Sequence, residues 1–444
     1  MTRTPDRISR RTFLARSAGA AGAAAGAFYV LTGRAAGGTP PSRRITVACI
    51  GMGRQAVYSN VRFFLGQDDA QVVAVCDVDR WRLDRAKQQV ESHYAGGKRS
   101  GAYAGCGAVA DFRDILGRDD VDAVMISTPD HWHVPMAIAA ARAGKDVCLE
   151  KPITLSIAEG RRLVETFRRT GRVFRVDSEF RSIEVFQRAC ELVRNGRIGR
   201  LRTIRAGVPK GDVACPPQPA MPVPDGLDYR LWLGPAPAAP YTRNRVHTPE
   251  SFARPGWMRC RDYCEGMITN WGAHLCDIAQ WGHGTERTGP VRVEGRGTYP
   301  TDGLWNVLLD FEVRYRFADG VEMVYETSRP YVRFEGDEGW VEAAYGSRQM
   351  KASHPSLLRA RPRPGEVHLP RVHEKRDFLD CVRSRRHTIA DAEVGHRTNS
   401  LCQVGHVAIQ VGRTLRWDPQ QEVFPDDAEA NRLLDRPSRS PWTI

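Results

Sequence analysis

"RITVACIGMGRQA", Arg44 to Ala56, joins an apolar, β-branched run to closely spaced glycines, and the "VYSNVRFFL" that follows carries a helical period. Strand, tight turn and helix in that order open a parallel α/β unit. Working outward, "QVVAVCDVD" (Gln71–Asp79) reads as a second strand, followed by a helix near Arg80 to Val90 and a Gly-rich loop near residues 95 to 107. "VDAVMISTP" supplies a strand ending at Thr128-Pro129, "HVPMAIAAARAG" a helix and "DVCLEKP" another strand. Strands alternating with helices predict a doubly wound parallel sheet.

Ser156 and Glu159 form a capping box that opens a helix to about Thr170, and a strand and a further helix lead to Asn195-Gly196. There the composition changes. "CPPQPAMPVPDG" (Cys215–Gly226) reads as a long surface loop. Farther on, Val307, Leu309, Phe311, Val313, Tyr315 and Phe317 alternate with charged residues up to Asp319-Gly320, which predicts an antiparallel hairpin with one wet face. Helices over Glu374–Ser384 and Val394–Leu415 close the pattern. The expected organisation, with the domain names and roles implied by the family resemblance given below, is a leader and linker over 1–38, a Rossmann domain over 44–155, an α+β substrate and oligomerisation domain with an open, mostly antiparallel sheet over 156–420, and a tail over 421–444.

A chain of 444 residues, 41% hydrophobic and 26% charged, suits two globular domains. The net charge of +13 comes from scattered residues, mostly arginine, without the aromatic interleaving of a single-strand nucleic-acid binder, so no nucleic-acid partner is expected. Some of that charge sits in "RISRRTFL" (Arg7–Leu14), which precedes an Ala/Gly run too mild to span a bilayer. This pattern matches a twin-arginine export signal. The twin-arginine export machinery is thus an expected partner, no membrane anchor is expected, and the destination is periplasmic or extracellular. The eleven cysteines show no dense framework, and Cys260 and Cys264 with His274 and Asp277 lack the Cys-x2-Cys clasp of structural zinc, so no metal is expected.

The chemistry begins at Gly51, Gly53 and Ala56. A glycine turn after a strand puts helix N-terminal amides where a pyrophosphate binds, with Gly51, Gly53 and Arg54 as its expected cradle. Asp77 ends the second strand, where a carboxylate accepts both adenosine ribose hydroxyls and repels a 2′-phosphate. NAD is the expected cofactor, and Arg80 keeps NADP open as the alternative. Lys151 ends a later strand, facing the expected nicotinamide, and a positive ring beside it favours loss of its proton. In "NWGAHLCD", Asn270, His274 and Asp277 stand at i, i+4 and i+7, on one helical face.

The motifs "CIGMGR", "STPDHWH", "AGKDVCLEKP", "GMITNWGAHLCDIAQW" and the run from "FLDCVRSRR" to "RTLRWDP" resemble the Gfo/Idh/MocA oxidoreductases. The resemblance covers most of the chain after the leader. It implies that Thr128, Pro129 and His133 line the cofactor, and that Glu150, Lys151 and Pro152 position nicotinamide and substrate. It also implies that Asn270 and His274 occupy the places of an aspartate and a histidine that bind substrate and carry protons. An asparagine orients an alcohol but takes no proton, which shifts the proton work to Lys151 and His274, with Asp277 as the expected orienter of the imidazole.

Outside the cytoplasm a diffusible nicotinamide has no partner to reoxidise it, so export predicts a tightly bound dinucleotide recycled on the protein. The leading expectation is an exported oxidoreductase acting on CH–OH groups of a sugar, polyol or sugar derivative. A redox-assisted carbohydrate lyase or glycosidase is the alternative, and a non-catalytic NAD-binding scaffold the third reading. An open, half-apolar sheet predicts a homo-dimer or homo-tetramer.

Overall fold

A computed structural model describes residues 44–96, 103–211 and 214–442. The expected leader and linker, part of the Gly-rich loop near 95–107, and Val213 lie outside them.

The opening run forms β1 (Ile45–Ile50), buried along nearly its whole length, as a strand covered on both faces must be. It pairs in parallel with β2 (Ala70–Cys76), and the sheet continues through β3 (Gly107–Val109), β4 (Ala123–Ile126), β5 (Asp146–Glu150) and β6 (Phe174–Asp177). The strand order is β3-β2-β1-β4-β5-β6. Alternate residues feed two apolar layers: along β4, Val124 and Ile126 enter one and Ala123 and Met125 the other. Because the winding reverses between β1 and β4, their C-terminal ends flank the crevice in which such sheets take ligands.

The sixth strand carries this sheet beyond the boundary expected at residue 155. The helix before it, Ile157–Thr170, starts as its capping residues dictate, with Ser156 Oγ accepting from the Glu159 amide at 3.2 Å. The box is only half closed. Thr154 Oγ1 takes the Ser156 amide at 3.1 Å and donates to the Glu159 carboxylate at 3.2 Å, so the glutamate does not reach back.

The second sheet is open and mostly antiparallel, as the alternating pattern predicts. Its strands are β7 (Leu201–Val208), β8 (Arg292–Thr298), β9 (Asp310–Arg316), β10 (Glu322–Thr327), β11 (Tyr331–Gly336), β12 (Trp340–Ala344), β13 (Lys351–Ala352) and β14 (Leu415–Arg416). They run in the order β13-β12-β11-β7-β10-β9-β8-β14, with β7 and β10 the parallel pair. Phe311, Val313 and Tyr315 of β9 enter the core while Arg314 and Arg316 stay exposed. The alternation slips at the strand's start: Leu308, not Leu309, is buried, because β9 begins only at Asp310.

The helices Gly272–His283 and Ala392–Val411 share that core through Leu275, Ile278, Leu401 and Val404. The second stops short of Leu415 because Gly412 adopts a left-handed conformation, φ +68°. Gly272 permits a close approach: a Cβ there would lie 2.5 Å from Cys402 Sγ. No helix among the described residues is long and apolar enough to cross a membrane. All eleven cysteines are buried and unpaired.

Candidate active site

The glycine turn is built by backbone necessity. Gly51 has φ +84°, and a Cβ on it would lie 2.7 Å from the Ser127 carbonyl carbon, so the ends of β1 and β4 close up only around glycine. The chain turns helical at Arg54 and winds through a π turn, Ala56–Asn60, into the helix Val61–Leu65. That turn delivers Asn60, fully buried, whose Nδ2 donates to Ser127 Oγ and to Glu150 Oε1, each at 2.9 Å. One amide thereby ties the ends of β4 and β5 to the glycine turn.

Asp77, one residue past β2, accepts from the Met52 amide at 2.6 Å and the Asp79 amide at 2.8 Å. Burial raises its pKa, while Arg82 and the two amides pull it back down. The expected arginine is different. Arg80 is exposed and its amide donates to Gly226 O, whereas Arg82 lies in the cavity wall, with Nε 3.7 Å from Asp79 and Nη2 donating to Ser251 O at 2.9 Å. The helix Arg80–His93 is capped by Asp79, and two steps along it rotate a side chain by about 200°, which carries Arg82 inward and Arg80 outward.

At the ends of β4 and β5, Thr128, Pro129, Glu150 and Lys151 all line one cavity together with Gly51, Gly53, Arg54 and Asp77. His133 and Pro152, expected beside them, do not. The His133 ring is buried between two carbonyls, Nδ1 2.7 Å from Pro152 O and Nε2 2.9 Å from Thr128 O, so it braces the loops that carry the lining residues. Burial lowers its pKa to about 4 against the pull of those carbonyls.

From the second half of the chain, Asn270 ends the short helix Met267–Asn270 and His274 lies one turn into Gly272–His283; both line the same cavity. Lys151 Nζ donates to Asn270 Oδ1 and to its carbonyl O, each at 3.4 Å. His274 Nδ1 is 2.8 Å from Ser178 Oγ and 3.6 Å from Glu179 Oε2. Its pKa is held well below the usual imidazole value, first by burial and then by the Lys151 charge, so the ring is neutral at pH 7.

Asp277 does not orient this ring. Its carboxylate is gripped by Arg181 through Nε at 2.7 Å and Nη2 at 2.6 Å, with Thr398 Oγ1 at 3.3 Å, and Ser178 holds the imidazole instead. Shared helical spacing put Asp277 near His274, but a bidentate guanidinium is the stronger partner.

The cavity measures about 760 Å³, the size of a cofactor and substrate site rather than of a packing defect. An aromatic wall encloses the Lys151 end: Tyr345, just after β12, stacks on Phe180 at 5.3 Å, Phe180 stacks on His274 at 4.4 Å, and Trp271 meets Tyr345 edge-on at 5.3 Å. Nothing in the spacing of the sequence marked Ser178, Glu179, Asn60 or Tyr345, since each enters through a tertiary approach rather than a local motif. Arg82 was the detectable one, through its distance from the capping Asp79. Among the described residues no group of three or more His, Cys, Asp or Glu is arranged to hold a metal. A dinucleotide, by contrast, fits the donors and acceptors present: Thr128 Oγ1 and Asp130 Oδ2 are buried in the wall without a protein partner, and Asp77 stands beside the glycine turn.

Comparison with known proteins accounts for both halves. Residues 45–178 match the Gfo/Idh/MocA profile described as "Oxidoreductase family, NAD-binding Rossmann fold", and residues 213–444 the one described as "Oxidoreductase family, C-terminal alpha/beta domain". A glycosyl hydrolase family 109 protein of Shewanella sp. (strain W3-18-1) is 32% identical over 169 residues, 37% of this chain and 32% of that protein. The chain thus spans about a third of the length of the curated relatives it matches. Among solved structures, the WlbA dehydrogenase from Bordetella pertussis, in complex with NADH and UDP-GlcNAcA, superimposes with a TM-score of 0.62 at 17% identity, covering 85% of this chain and 99% of that one. The aldose-aldose oxidoreductase from Caulobacter crescentus, complexed with glycerol, gives 0.60 at 19% identity, covering 84% and 100%. At these identities the structures attest the fold.

Proposed function

Starting from a chain that belongs to the Gfo/Idh/MocA oxidoreductase family and carries its NAD-binding Rossmann fold, we propose that it oxidises a CH–OH group of a sugar, polyol or sugar derivative. The single observation that carries this reading is the convergence of Lys151, just after β5 of the first sheet, with Asn270 and His274, from two helices of the second half, in one cavity that Gly51 and Asp77 also line. The dinucleotide, when bound, supplies the hydride acceptor.

The remaining work belongs to the protein. Lys151 and Asn270 hold the substrate hydroxyl, the ammonium as donor and the amide as both donor and acceptor. Neutral His274 accepts the hydroxyl proton, a task its depressed pKa suits at pH 7. Tyr345 and Trp271 offer aromatic surface to the apolar side of a sugar ring. NAD is the proposed partner of Asp77, and the Arg82 guanidinium beside Asp79 is the group through which NADP would have to be admitted.

The glycosyl hydrolase family 109 relatives favour a second reading, in which the same oxidation is transient, acidifies the neighbouring C–H, and ends in cleavage of a glycoside. We also propose export through the "RISRRTFL" leader, a dinucleotide retained through many turnovers, and a homo-oligomer formed across the open sheet.

Absorbance of the purified chain near the reduced-nicotinamide band, recorded with candidate sugars and no added cofactor, tests the proposal. Reduction by one sugar and reoxidation by another supports the oxidoreductase. Release of an aglycone with no net reduction supports the second reading. No spectral response to any sugar or polyol, with dinucleotide still bound, leaves only a scaffold.

A further inference from the structure

Four carboxylates line the cavity among the described residues: Asp77, Asp130, Glu150 and Glu179. Of the four, Glu179 is the one paired with His274. Asp77 is held by the Met52 and Asp79 amides. Asp130 is buried, with 3% of its surface exposed. Glu150 is buried and accepts from Asn60 Nδ2 and from the Lys151 amide. Glu179 differs on each count. Its side chain keeps 44% of its surface exposed, yet Oε2 lies 3.6 Å from His274 Nδ1. It sits immediately after Ser178, whose Oγ is 2.8 Å from the same nitrogen.

We infer that Glu179 does the proton-accepting work that Asn270 cannot do, receiving through His274 the proton of the substrate hydroxyl and releasing it to solvent. This rests on the oxidoreductase reading above. As the alcohol becomes a carbonyl, the C–H electron pair leaves with its hydrogen as hydride to the oxidised dinucleotide, and the O–H pair forms the C=O bond. The O–H proton goes to His274 Nε2. The ring then gives up its Nδ1 proton and returns to neutrality, Ser178 Oγ keeping Nδ1 in place while a small rotation of the half-exposed Glu179 closes the remaining gap. The carboxylic acid so formed loses its proton to water. Overall one hydride and one proton leave the substrate, and His274 is left as its Nε2–H tautomer, which returns to the Nδ1–H form by taking a proton at Nδ1 from Glu179 and losing the Nε2 proton to water before the next turnover.

The surroundings of Glu179 act on its carboxyl in both directions, with a net upward shift. Burial by its neighbours raises its pKa, and Glu374 from the helix Glu374–Ser384 adds to that. Lys151 after β5 and Lys375 beside Glu374 oppose the rise, and His274 faces it uncharged.

Glu179→Gln keeps shape and removes the titration. In the full chain it should bind the dinucleotide and sugar with near-parental Kd and KM, lower kcat by about 100-fold or more, and abolish the acidic limb of the kcat–pH profile. Glu179→Ala should show the same loss and regain turnover on addition of formate. NMR of histidine-labelled protein supplies a readout independent of turnover: the His274 ring nitrogens should respond to the titration of Glu179 in the parent and not in Glu179→Gln. A Glu179→Gln chain with parental kcat and pH profile overturns the inference while leaving the oxidoreductase reading intact. So does a rate loss with an unchanged profile and no formate rescue. A parent that reduces no bound nicotinamide with any sugar or polyol defeats the oxidoreductase reading itself, and this inference with it.

Discussion

Asp277→Asn separates a structural role from a catalytic one at the residue where sequence spacing and structure disagree. Asp277 and Arg181 are a buried pair, their side chains 5% and 3% exposed, joined by two charge-assisted hydrogen bonds. An amide at 277 leaves the guanidinium charge buried without its carboxylate counterpart, beside the Ile389 carbonyl and the face of Trp281. Removing one member of such a pair costs about 3–5 kcal/mol, because the uncompensated charge, not the lost bonds alone, sets the penalty. The expected result is an unfolding free energy in urea lowered by that amount, seen as a lower midpoint at constant m-value and partly restored by adding Arg181→Met. The kcat of the folded fraction should stay within about tenfold of the parent, since Ser178 keeps hold of His274. A stable Asp277→Asn chain whose turnover had fallen by about 100-fold or more would refute this reasoning and reinstate Asp277 as the orienter of the ring.

Gly51→Ala should lower thermal stability and weaken dinucleotide binding at least tenfold by NADH fluorescence, because φ +84° and a Cβ 2.7 Å from the Ser127 carbonyl carbon force the turn apart; parental affinity would contradict this. Asn270→Asp puts a carboxylate 3.4 Å from the Lys151 ammonium, where opposite charges stabilise each other. Turnover should fall, because the new carboxylate draws the Lys151 ammonium away from the substrate hydroxyl, and parental turnover would argue against Lys151 and Asn270 as the pair that holds that hydroxyl. Burial raises the Glu422 pKa, but hydrogen bonds from Arg161 and His396 outweigh it and bring it from 4.5 to about 2. A depressed carboxylate stabilises the fold above its unfolded value and loses that contribution as pH falls from about 4.5 towards 2. Denaturation at successive pH values should therefore show a steeper acid loss in the parent than in Glu422→Gln.

Local pattern made the first sheet readable. β-branched runs, the glycine turn and the Asp79 cap all state their structure within a few residues, and the alternation from Phe311 to Tyr315 does the same for the second sheet. Of the cavity lining, Gly51, Gly53, Arg54, Asp77 and Lys151 followed from motifs placed on strand ends and Thr128, Pro129 and Glu150 from the family resemblance, while Asn270 and His274, expected on one helix, reach the cavity from two, Met267–Asn270 and Gly272–His283. Partner choice was not readable in the same way. Whether Asp277 faces His274 or Arg181 depends on a side chain 96 positions away, and the embrace of His133 by the Thr128 and Pro152 carbonyls depends on a loop that no period encodes. Ser178 and Glu179 lie just beyond β6, a strand whose membership of the first sheet the expected boundary at 155 had hidden.

The nucleotide cradle and the aromatic wall are contributed by different stretches of chain: Gly51, Asp77 and Thr128 by one sheet's strand ends, Trp271 and Tyr345 by the other half. If the proposed oxidation holds, exchanging side chains at 271 and 345 retunes which molecule is admitted while the machinery for electron storage stays untouched. Diversification of appetite without reinvention of the power supply is built into the division of the polypeptide.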